Sequence, residues 1–210
     1  MDGTSTNFFS LDMHKLIFAT NNQHKVDEIR SIHGINYKII SLKEAEINID
    51  IPEPHNTLEE NATEKSSVIY KLTGSDCFSE DTGLEVDALH GDPGVKSARY
   101  SGDESSSEKN IEKLLLKMKG IENRTAQFRT VLSLMLTGKE YKFEGICKGT
   151  ILAYPKGQEG FGYDPIFLPL GAIRTFAEMD MEEKNKFSHR KKAMDKLVTF
   201  LNTPSEENSN

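Results

Sequence analysis

The chain has 210 residues, of which 33 are acidic and 26 are basic, so its formal net charge at pH 7 is −7. This acidic balance argues against a protein that coats DNA or RNA, because such a protein presents a basic surface to the phosphates. A mean hydropathy of −0.53, with no apolar run near the roughly 18 residues a span needs, argues against a membrane-spanning helix. A small anionic ligand held by a few local cations remains compatible with this composition.

The first half of the chain alternates between strand and helix patterns. Apolar runs predict the strands, and apolar residues at helical spacing predict the helices, one of which follows a Thr-x-x-Glu capping box. The predicted elements are a strand at 15–20, a helix through Val26, Ile29 and Ile32, a strand at 37–42, a helix from Thr57 to about Leu72, a strand that gives way to a loop at 77–83, and a helix at 105–119.

The second half predicts one long hairpin and a final helix. Residues 126–136 read as an apolar strand, 137–139 as a hairpin turn, and 141–154 as the strand that pairs back. A glycine-rich loop follows at 157–164, and Ser188 is expected to cap a helix that ends before Pro204. Strands mixed with helices around one long hairpin predict an α/β fold with a mixed central sheet.

The ends of the chain and its cysteines add two expectations. Residues 1–13 lack the basic start and long apolar core of a secretory signal and are interpreted as an N-terminal extension, with 203–210 as a polar tail. The spacing of Cys77 and Cys147 fits no zinc or redox motif. Two lone thiols, expected to be buried, are typical of a reducing compartment, so a cytoplasmic location is predicted.

The segment Thr20-Asn-Asn-Gln-His-Lys25 lies where the first strand gives way to a helix. Such a junction offers free backbone N–H groups and a favourable helix dipole to an anion. Lys25 falls in the first helical turn, which disfavours a cation unless a phosphate lies beside it. A phosphate-binding loop is one interpretation, and an ordinary capped helix with a solvated lysine is the other. The glycine pattern of a Walker A loop is missing.

Glu80 and Asp81 are adjacent carboxylates at the expected end of an apolar strand. Their burial is unfavourable unless a metal or hydrogen bonds compensate the charge, and Mg²⁺ prefers one or two carboxylates together with ligand phosphates. A second acidic group, Glu53, Glu59 and Glu60, could share such an ion. The alternative is that all of these are solvated loop acids.

Two segments of the second half carry further candidates. In Gly160-Phe-Gly-Tyr-Asp-Pro165 the glycines allow a flat ligand to approach closely, although a tight turn between strands has the same pattern. Lys184, His189 and Arg190 place cations at the start of the last helix, where the dipole disfavours them. This placement indicates a ligand, and a charged, solvated helix start is the alternative.

In this order the motifs resemble those of the inosine/xanthosine triphosphate pyrophosphatases, enzymes that remove deaminated purine nucleotides. The similarity extends from about Lys15 to Leu201. The segments that carry it are Phe18-Ala-Thr-Asn-Asn-Gln-His-Lys25, Thr57-Leu-Glu-Glu-Asn-Ala62, Ser79-Glu-Asp-Thr-Gly-Leu-Glu-Val-Asp-Ala88, Gly91-Asp-Pro-Gly-Val-Lys-Ser-Ala-Arg-Tyr-Ser-Gly102, Gly160-Phe-Gly-Tyr-Asp-Pro-Ile-Phe167 and Lys184-Asn-Lys-Phe-Ser-His-Arg190.

The resemblance implies one domain over residues 14–202, with two lobes around a nucleotide-binding cleft, and a homodimer without nucleic-acid or membrane partners. It implies hydrolysis of ITP, dITP and XTP to the monophosphate and pyrophosphate, with Mg²⁺ as cofactor and Asp81 as proton acceptor. Asp81 and Glu53 match metal ligands, to which the carboxylate argument adds Glu80. The substrate-binding residues that it implies are Thr20, Asn21, Asn22, Lys25, Lys65, Thr82, Phe161, Gly162, Tyr163, Asp164, Lys184, His189 and Arg190.

Base selection follows from donors and acceptors. A 6-oxo purine offers an acceptor where adenine offers an amino donor, so Arg190 and the backbone N–H groups near Phe161–Tyr163 are expected to donate to it. Phe161 or Tyr163 is expected to stack on the base. The four cations Lys25, Lys65, Lys184 and Arg190 are expected to form one small positive pocket.

Two departures from the family pattern and three alternative functions stay open. Many relatives have Asp-Asp-Ser-Gly where this chain has Glu80-Asp-Thr-Gly83, which retains the carboxylate and the hydroxyl, and the region around Glu53 is more variable. The alternatives are a Maf-like pyrophosphatase for other modified nucleotides, which lacks the Ser-His-Arg element, a non-catalytic nucleotide-binding module, and a nucleic-acid binder.

Overall fold

The computed structural model describes residues 14–32, 34, 36–102 and 104–203, so the predicted extension at 1–13 and the tail beyond 203 lie outside the described residues. The strands are β1 (Lys15–Phe18), β2 (Lys38–Ser41), β3 (Cys77–Val86), β4 (Pro93–Gly94), β5 (Thr125–Leu136), β6 (Lys139–Ile151) and β7 (Phe167–Pro169). The helices are α1 (Gln23–Arg30), α2 (Leu58–Thr73), α3 (Ser107–Lys117), α4 (Met181–Phe187) and α5 (His189–Asn202).

The strands form one mixed sheet in the order β2-β1-β3-β5-β6-β7, and β4 pairs with β3 off this path. β1 is parallel to both of its neighbours, and the remaining pairs are antiparallel. β1 is a short apolar run because elements cover both of its faces: Leu16 and Phe18 have no exposed surface. The predicted α/β fold with a mixed central sheet is confirmed.

The long hairpin of β5 and β6 is also confirmed. Its two-residue turn is Thr137-Gly138, and both residues have positive φ angles, 49° and 84°, as the favoured hairpin turns require. β6 begins at Lys139, directly after the turn, because its pairing with β5 extends to the Leu136–Lys139 pair.

The prediction that β3 gives way to a loop by Gly83 is wrong. β3 pairs with β5 along its whole length, from Cys77 to Val86. Gly83 is required by packing rather than by a turn, since a Cβ at that position would lie 2.7 Å from the carbonyl oxygen of Gly94. Glu80 and Asp81 therefore lie in the middle of a central strand.

Two main clusters of buried apolar side chains occupy different stretches of β3 and β5. One contains Phe78 of β3 and the buried residues of β1, α1 and α5, whereas the other contains Leu84 and the buried residues of α3 and β7. The polar residues of β3 lie between these clusters. The two clusters favour the predicted division into two lobes, which stays a prediction.

The two helices that carry predicted motifs begin where the sequence indicates. Thr57 accepts a hydrogen bond from the Glu60 N–H at 3.2 Å, and Ser188 accepts one from the Lys191 N–H at 3.2 Å. α5 packs closely on β6 because Gly145 has no side chain: a Cβ there would lie 2.0 Å from the carbonyl oxygen of His189. Gly145 thus sets how near the start of α5 comes to the sheet.

The cysteine expectation is confirmed, because Cys77 and Cys147 are both buried and unbridged. Within the part of the chain that the structure describes, none of the helices combines the length and the apolar character needed to cross a membrane.

Candidate functional site

A cleft with two compartments contains nearly all of the predicted site residues. The aromatic compartment, of about 410 Å³, is lined by Phe161 and Tyr163, and the loop compartment, of about 440 Å³, by the loop before α1. Both are lined by Asn22, Lys25, Glu53 and Ala98, where they adjoin. The predicted site residues that line one or both are Thr20, Asn21, Asn22, Lys25, Glu53, Lys65, Asp81, Thr82, Phe161, Gly162, Tyr163, Asp164, Lys184, His189 and Arg190. Glu80 lines neither.

The loop before α1 is held by its own side chains. Asn22 caps the helix by accepting from the Lys25 N–H at 3.3 Å, and Thr20 accepts from the Asn22 N–H at 3.2 Å. The Lys25 ammonium lies 3.1 Å from the carboxylate of Glu80, which is fully buried. The alternative of a solvated lysine is therefore wrong, and the helix start faces the cleft.

Asp81 lies at the cleft with a defined set of partners. One carboxylate oxygen accepts from the Asn61 amide at 3.2 Å, and the other lies 3.4 Å from the Lys65 ammonium, which also donates to Glu53. Burial raises the pKa of Asp81 above its usual value; Lys65 opposes this effect and the charge of Glu53 adds to it. The carboxylates of Asp81 and Glu53 thus converge on the ammonium of Lys65.

Glu80 has a different role from the predicted one. Both of its oxygens accept from Arg190, at 2.7 and 2.8 Å, and one also pairs with Lys25. Burial alone would raise the pKa of Glu80, but Arg190 and Lys25 outweigh it and hold the pKa well below the usual range. The prediction that Glu80 ligates a metal conflicts with this arrangement, because both of its oxygens are engaged by cations and Glu80 does not line the cleft.

Of the other acidic residues that were predicted to share a metal ion, only Glu53 lines the cleft. Glu59 pairs with Arg129 and Glu60 accepts from the Thr57 hydroxyl, so neither joins Glu53 at the cleft. Among the described residues there is no cluster of three or more Asp, Glu, His or Cys side chains arranged around a metal position. Any ion at Asp81 and Glu53 would therefore take its remaining ligands from substrate or water.

A buried network of charges lies behind the aromatic compartment. Arg190 also donates to Glu28, and the Lys184 ammonium lies 2.6 Å from both Glu28 and Asp164. The five residues of this network, Glu28, Glu80, Asp164, Lys184 and Arg190, are at most 4% exposed. The alternative of a solvated helix start at α5 is wrong. The expected positive pocket is also wrong, because three carboxylates offset the charges of Lys184, of Arg190 and of Lys25, which pairs with one of them.

Glu28 is the principal residue that the sequence analysis missed. It lies three positions after Lys25 on α1, so both project from one face of that helix. The only available signal was this spacing, and an acid within a helix is ordinarily solvated. Asn61, which holds Asp81, was missed because it lay inside a motif interpreted only as a helix start.

The two candidate stacking residues, Phe161 and Tyr163, differ in burial and in their contacts with the rest of the protein. The Tyr163 ring belongs to the core, and its hydroxyl donates to the Ser97 carbonyl at 2.9 Å. Phe161 is half-buried at the cleft, with the His24 ring stacked 5.3 Å away. Phe161 is thus the better stacking surface for a flat ligand.

Backbone donors near Phe161 are already used. The Phe161 N–H donates to Asp164 at 3.0 Å and the Gly162 N–H to Ser107 at 3.2 Å. These two N–H groups are therefore bonded to side chains of the protein, and donation from the backbone of this segment to a base stays a prediction.

His189 instead offers a buried polar atom without a partner. Its ring stacks on Phe128 with centroids 4.7 Å apart, and its Nδ1 makes no hydrogen bond with any described residue. Burial, together with the charges of Arg190 and Lys184, keeps the pKa of His189 well below its usual value, so the ring is neutral at pH 7. A buried polar atom of this kind in a cleft wall indicates a ligand.

Comparisons with known proteins agree with this geometry. The Ham1 family profile matches residues 16–200. The chain is 49% identical over 187 residues to a dITP/XTP pyrophosphatase of Christiangramia forsetii, covering 89% of this chain and 98% of that protein, and 47% identical to one of Flavobacterium johnsoniae, covering 89% and 97%. The solved structure of the Staphylococcus aureus Ham1 protein has a TM-score of 0.80 at 39% identity, covering 89% of this chain and 97% of the other. A HAM1 protein from Coxiella burnetii has a TM-score of 0.80 at 35% identity, covering 90% and 98%.

Proposed function

Because this chain belongs to the Ham1 family, we propose that it is a nucleoside-triphosphate pyrophosphatase that converts ITP, dITP and XTP to the monophosphate and pyrophosphate. The observation that carries the proposal is the cleft itself: aromatic and buried polar groups line one compartment, and a helix N-terminus with cations lines the other. These are the surfaces that the two ends of a purine nucleotide require.

This division orients the substrate. The base occupies the aromatic compartment against Phe161, and the phosphates extend past Lys25 towards Lys65 and the loop before α1. Lys25 lines both compartments, so the phosphate nearest the ribose lies where they meet. Attack of water on that phosphorus breaks its bond to the bridging oxygen and releases pyrophosphate, and Asp81 is placed to accept the proton.

The protein positions Asp81 for this role through Asn61 and Lys65. Asn61 holds one carboxylate oxygen, which leaves the other beside the Lys65 ammonium and the cleft. Lys65 can exchange its carboxylate partners for phosphate oxygens when substrate enters, because its ammonium carries three N–H donors.

Asp81 and Glu53 are the residues that would hold Mg²⁺. Their convergence and the raised pKa of Asp81 fit a divalent cation, which prefers one or two carboxylates together with phosphate oxygens. When bound, Mg²⁺ neutralises phosphate charge and stabilises the departing pyrophosphate.

Base selection is assigned to Arg190, with the Nδ1 atom of His189, which has no partner among the described residues, as a second polar group in the same compartment. Arg190 has five N–H donors, of which Glu28 and Glu80 accept three, so two remain for the 6-oxo group of the base. Adenine presents an amino donor at that position and would leave those two buried N–H groups without an acceptor. Such a mismatch can reduce the specificity constant by several orders of magnitude.

The test is a panel of triphosphates with chromatographic analysis of the products. With Mg²⁺, the protein is expected to convert ITP, dITP and XTP to monophosphate and pyrophosphate and to act far more slowly on ATP. Release of orthophosphate would contradict attack at the first phosphorus. Binding without turnover would indicate a nucleotide-binding module, and a preference for other modified nucleotides would indicate a Maf-like enzyme.

A homodimer and a cytoplasmic location are further parts of the proposal. They rest on the family resemblance, on an acidic composition and on two unbridged cysteines. Sedimentation of the purified chain tests the first expectation, and fractionation of cells tests the second.

A further inference from the structure

Arg99 is a cleft cation that lies within the Gly91–Gly102 motif, and neither the sequence analysis nor the proposed reaction gives it a role. It ends the short 3₁₀ helix Ser97–Arg99 and lines the loop compartment together with Lys25 and Lys65. It does not line the aromatic compartment, whereas Lys25 lines both. Arg99 therefore lies at the end of the cleft that is remote from the base.

The backbone that carries Arg99 is held by buried side chains. The Ser97 carbonyl accepts from the Tyr163 hydroxyl at 2.9 Å, and the Ala98 carbonyl accepts from the Asn110 amide at 3.0 Å and the Ser105 hydroxyl at 2.8 Å. Tyr163 and Asn110 are themselves at most 4% exposed. This many side-chain bonds to two consecutive carbonyls fix the position of the next residue, as a binding group requires.

The guanidinium of Arg99 is held by hydrogen bonds, but not all of its N–H donors are used. It donates to the Glu53 carbonyl at 2.9 Å and to the Glu53 carboxylate at 3.3 Å, so only two of its five N–H donors are used by these bonds. Its side chain is 41% exposed, which leaves the other donors open to the compartment.

Arg99 is the most exposed of the three cations of the loop compartment. It shares the carboxylate of Glu53 with Lys65. Lys65 also lies 3.4 Å from Asp81, and Lys25 pairs with the buried Glu80, so Arg99 is the cation most open to an incoming anion. The planar fork of an arginine matches two phosphate oxygens at once, and such charge-assisted bonds are the stronger class.

From these observations we propose that Arg99 binds the terminal phosphates of the substrate, so that the cleft favours a triphosphate over the monophosphate product. The proposal rests on the proposed function, since it takes the base to occupy the aromatic compartment. A monophosphate reaches Lys25 at the junction, and only the added phosphates reach Arg99. Arg99 thereby strengthens binding of the triphosphate substrate without strengthening binding of the monophosphate product.

The experiment compares two ligands in three proteins at one fixed Mg²⁺ concentration. Calorimetry measures the Kd of IMP and of inosine 5′-[α,β-methylene]triphosphate, which cannot be cleaved at the proposed bond, for the wild type, Arg99→Ala and Arg174→Ala. Arg174 is a matched control, because it is also an exposed arginine paired with a glutamate, Glu183, and it lies outside the cleft. Arg99→Lys, which retains the charge without the fork, is measured as a fourth protein.

The expected result is selective. Arg99→Ala raises the Kd of the triphosphate analogue roughly tenfold or more, which is the range for a lost bond to a charged group. It leaves the Kd of IMP within about twofold of the wild-type value. Arg99→Lys falls between the wild type and Arg99→Ala, and Arg174→Ala changes neither ligand. Equal weakening of both ligands would overturn the proposal by showing a structural role, and so would unchanged binding of the analogue. Failure of the wild type to turn over ITP would instead contradict the proposed function.

Discussion

The two ends of the cleft use charge in opposite ways. At the base end, Arg190 and Lys184 are at most 3% exposed and are locked between three carboxylates. At the phosphate end, the side chains of Lys25, Glu53 and Arg99 are 16, 25 and 41% exposed. Buried ion pairs are weak evidence for stability, but one partner cannot be removed without leaving an uncompensated charge. The base end is therefore fixed before substrate arrives, whereas the phosphate end has partners to exchange.

The largest effect is expected at Asp81, which lines the aromatic compartment and lies 3.4 Å from Lys65 of the loop compartment. Asp81→Asn retains the shape of the side chain and removes the proton acceptor, so kcat should fall by at least about a hundredfold, and up to about 10⁴-fold, which is the range for general-base catalysis. Pyrophosphate release at saturating ITP measures this loss. Thermal unfolding should be close to that of the wild type.

Asp195→Asn is the matched control, because Asp195 is an exposed acid on α5 that pairs with Lys191. It should leave both kcat and unfolding unchanged. An Asp81→Asn protein with kcat within tenfold of the wild type would remove Asp81 from the reaction and would assign the junction a binding role only.

The second prediction contrasts the two arginines directly. Arg190→Ala leaves Glu28 and Glu80 buried without their main partner, and this should lower the free energy of unfolding by about 3–5 kcal/mol. Arg99→Ala removes an exposed pair, for which about 0–1 kcal/mol is expected. Denaturant unfolding measures both values. Similar losses in the two variants would contradict the distinction between the ends.

Arg190→Ala should also weaken base selection. The ratio of kcat/KM for ITP to that for ATP should fall, because the donor for the 6-oxo group is lost, and the same ratio should persist in Arg99→Ala. An unchanged ratio in Arg190→Ala would remove Arg190 from base recognition, even where its loss destabilises the fold.

The third prediction uses the acid limb of stability. Burial would raise the pKa of Glu28, but the charges of Arg190 and Lys184 outweigh it and lower the pKa below 4.5. A carboxylate whose pKa is lower in the folded state stabilises the protein above the pKa of the unfolded state. This stabilisation is lost as pH falls through the lower, folded value. The free energy of unfolding should thus decline more steeply below about pH 4.5 in the wild type than in Glu28→Gln. Equal slopes in urea titrations across this range would contradict a charged Glu28 in the folded state.

Features of the fold that depend on neighbouring residues could be predicted from the sequence, and features that depend on distant contacts could not. The hairpin turn at Thr137-Gly138 and the cap at Ser188 were predicted correctly, because turns and caps depend on a few neighbouring residues. The end of β3 was not, since Gly83 signals a turn locally, whereas its lack of a side chain serves the approach of Gly94 from elsewhere in the chain.

The sequence could not predict which acidic and basic side chains form ion pairs in the cleft. Lys184 and Arg190 were identified as unusual cations, but their partners lie on α1 and β3, and only the folded sheet brings those elements together. Glu28 and Glu80 thus convert an expected positive pocket into a neutralised network. Arg99 lies inside the Gly91–Gly102 motif, but it was given no role because the sequence does not show that this segment lines the cleft.

The smallest expected effect is the salt dependence of the kinetic constants, which tests both ends of the cleft in one protein. Charges that remain partly exposed are screened over a Debye length of about 10 Å at 0.1 M salt, whereas buried pairs are screened much less. Raising NaCl from 50 to 300 mM should therefore raise the KM for ITP by about threefold, through weaker contacts of the phosphates with Lys25 and Arg99. The ratio of kcat/KM for ITP to that for ATP should stay constant, because Arg190 reads the base from within a buried network. In Arg99→Ala the rise in KM should be shallower, since one screened contact is already gone. A salt-dependent ratio would show that base selection also relies on exposed charge, and the two ends of the cleft would then be one electrostatic unit.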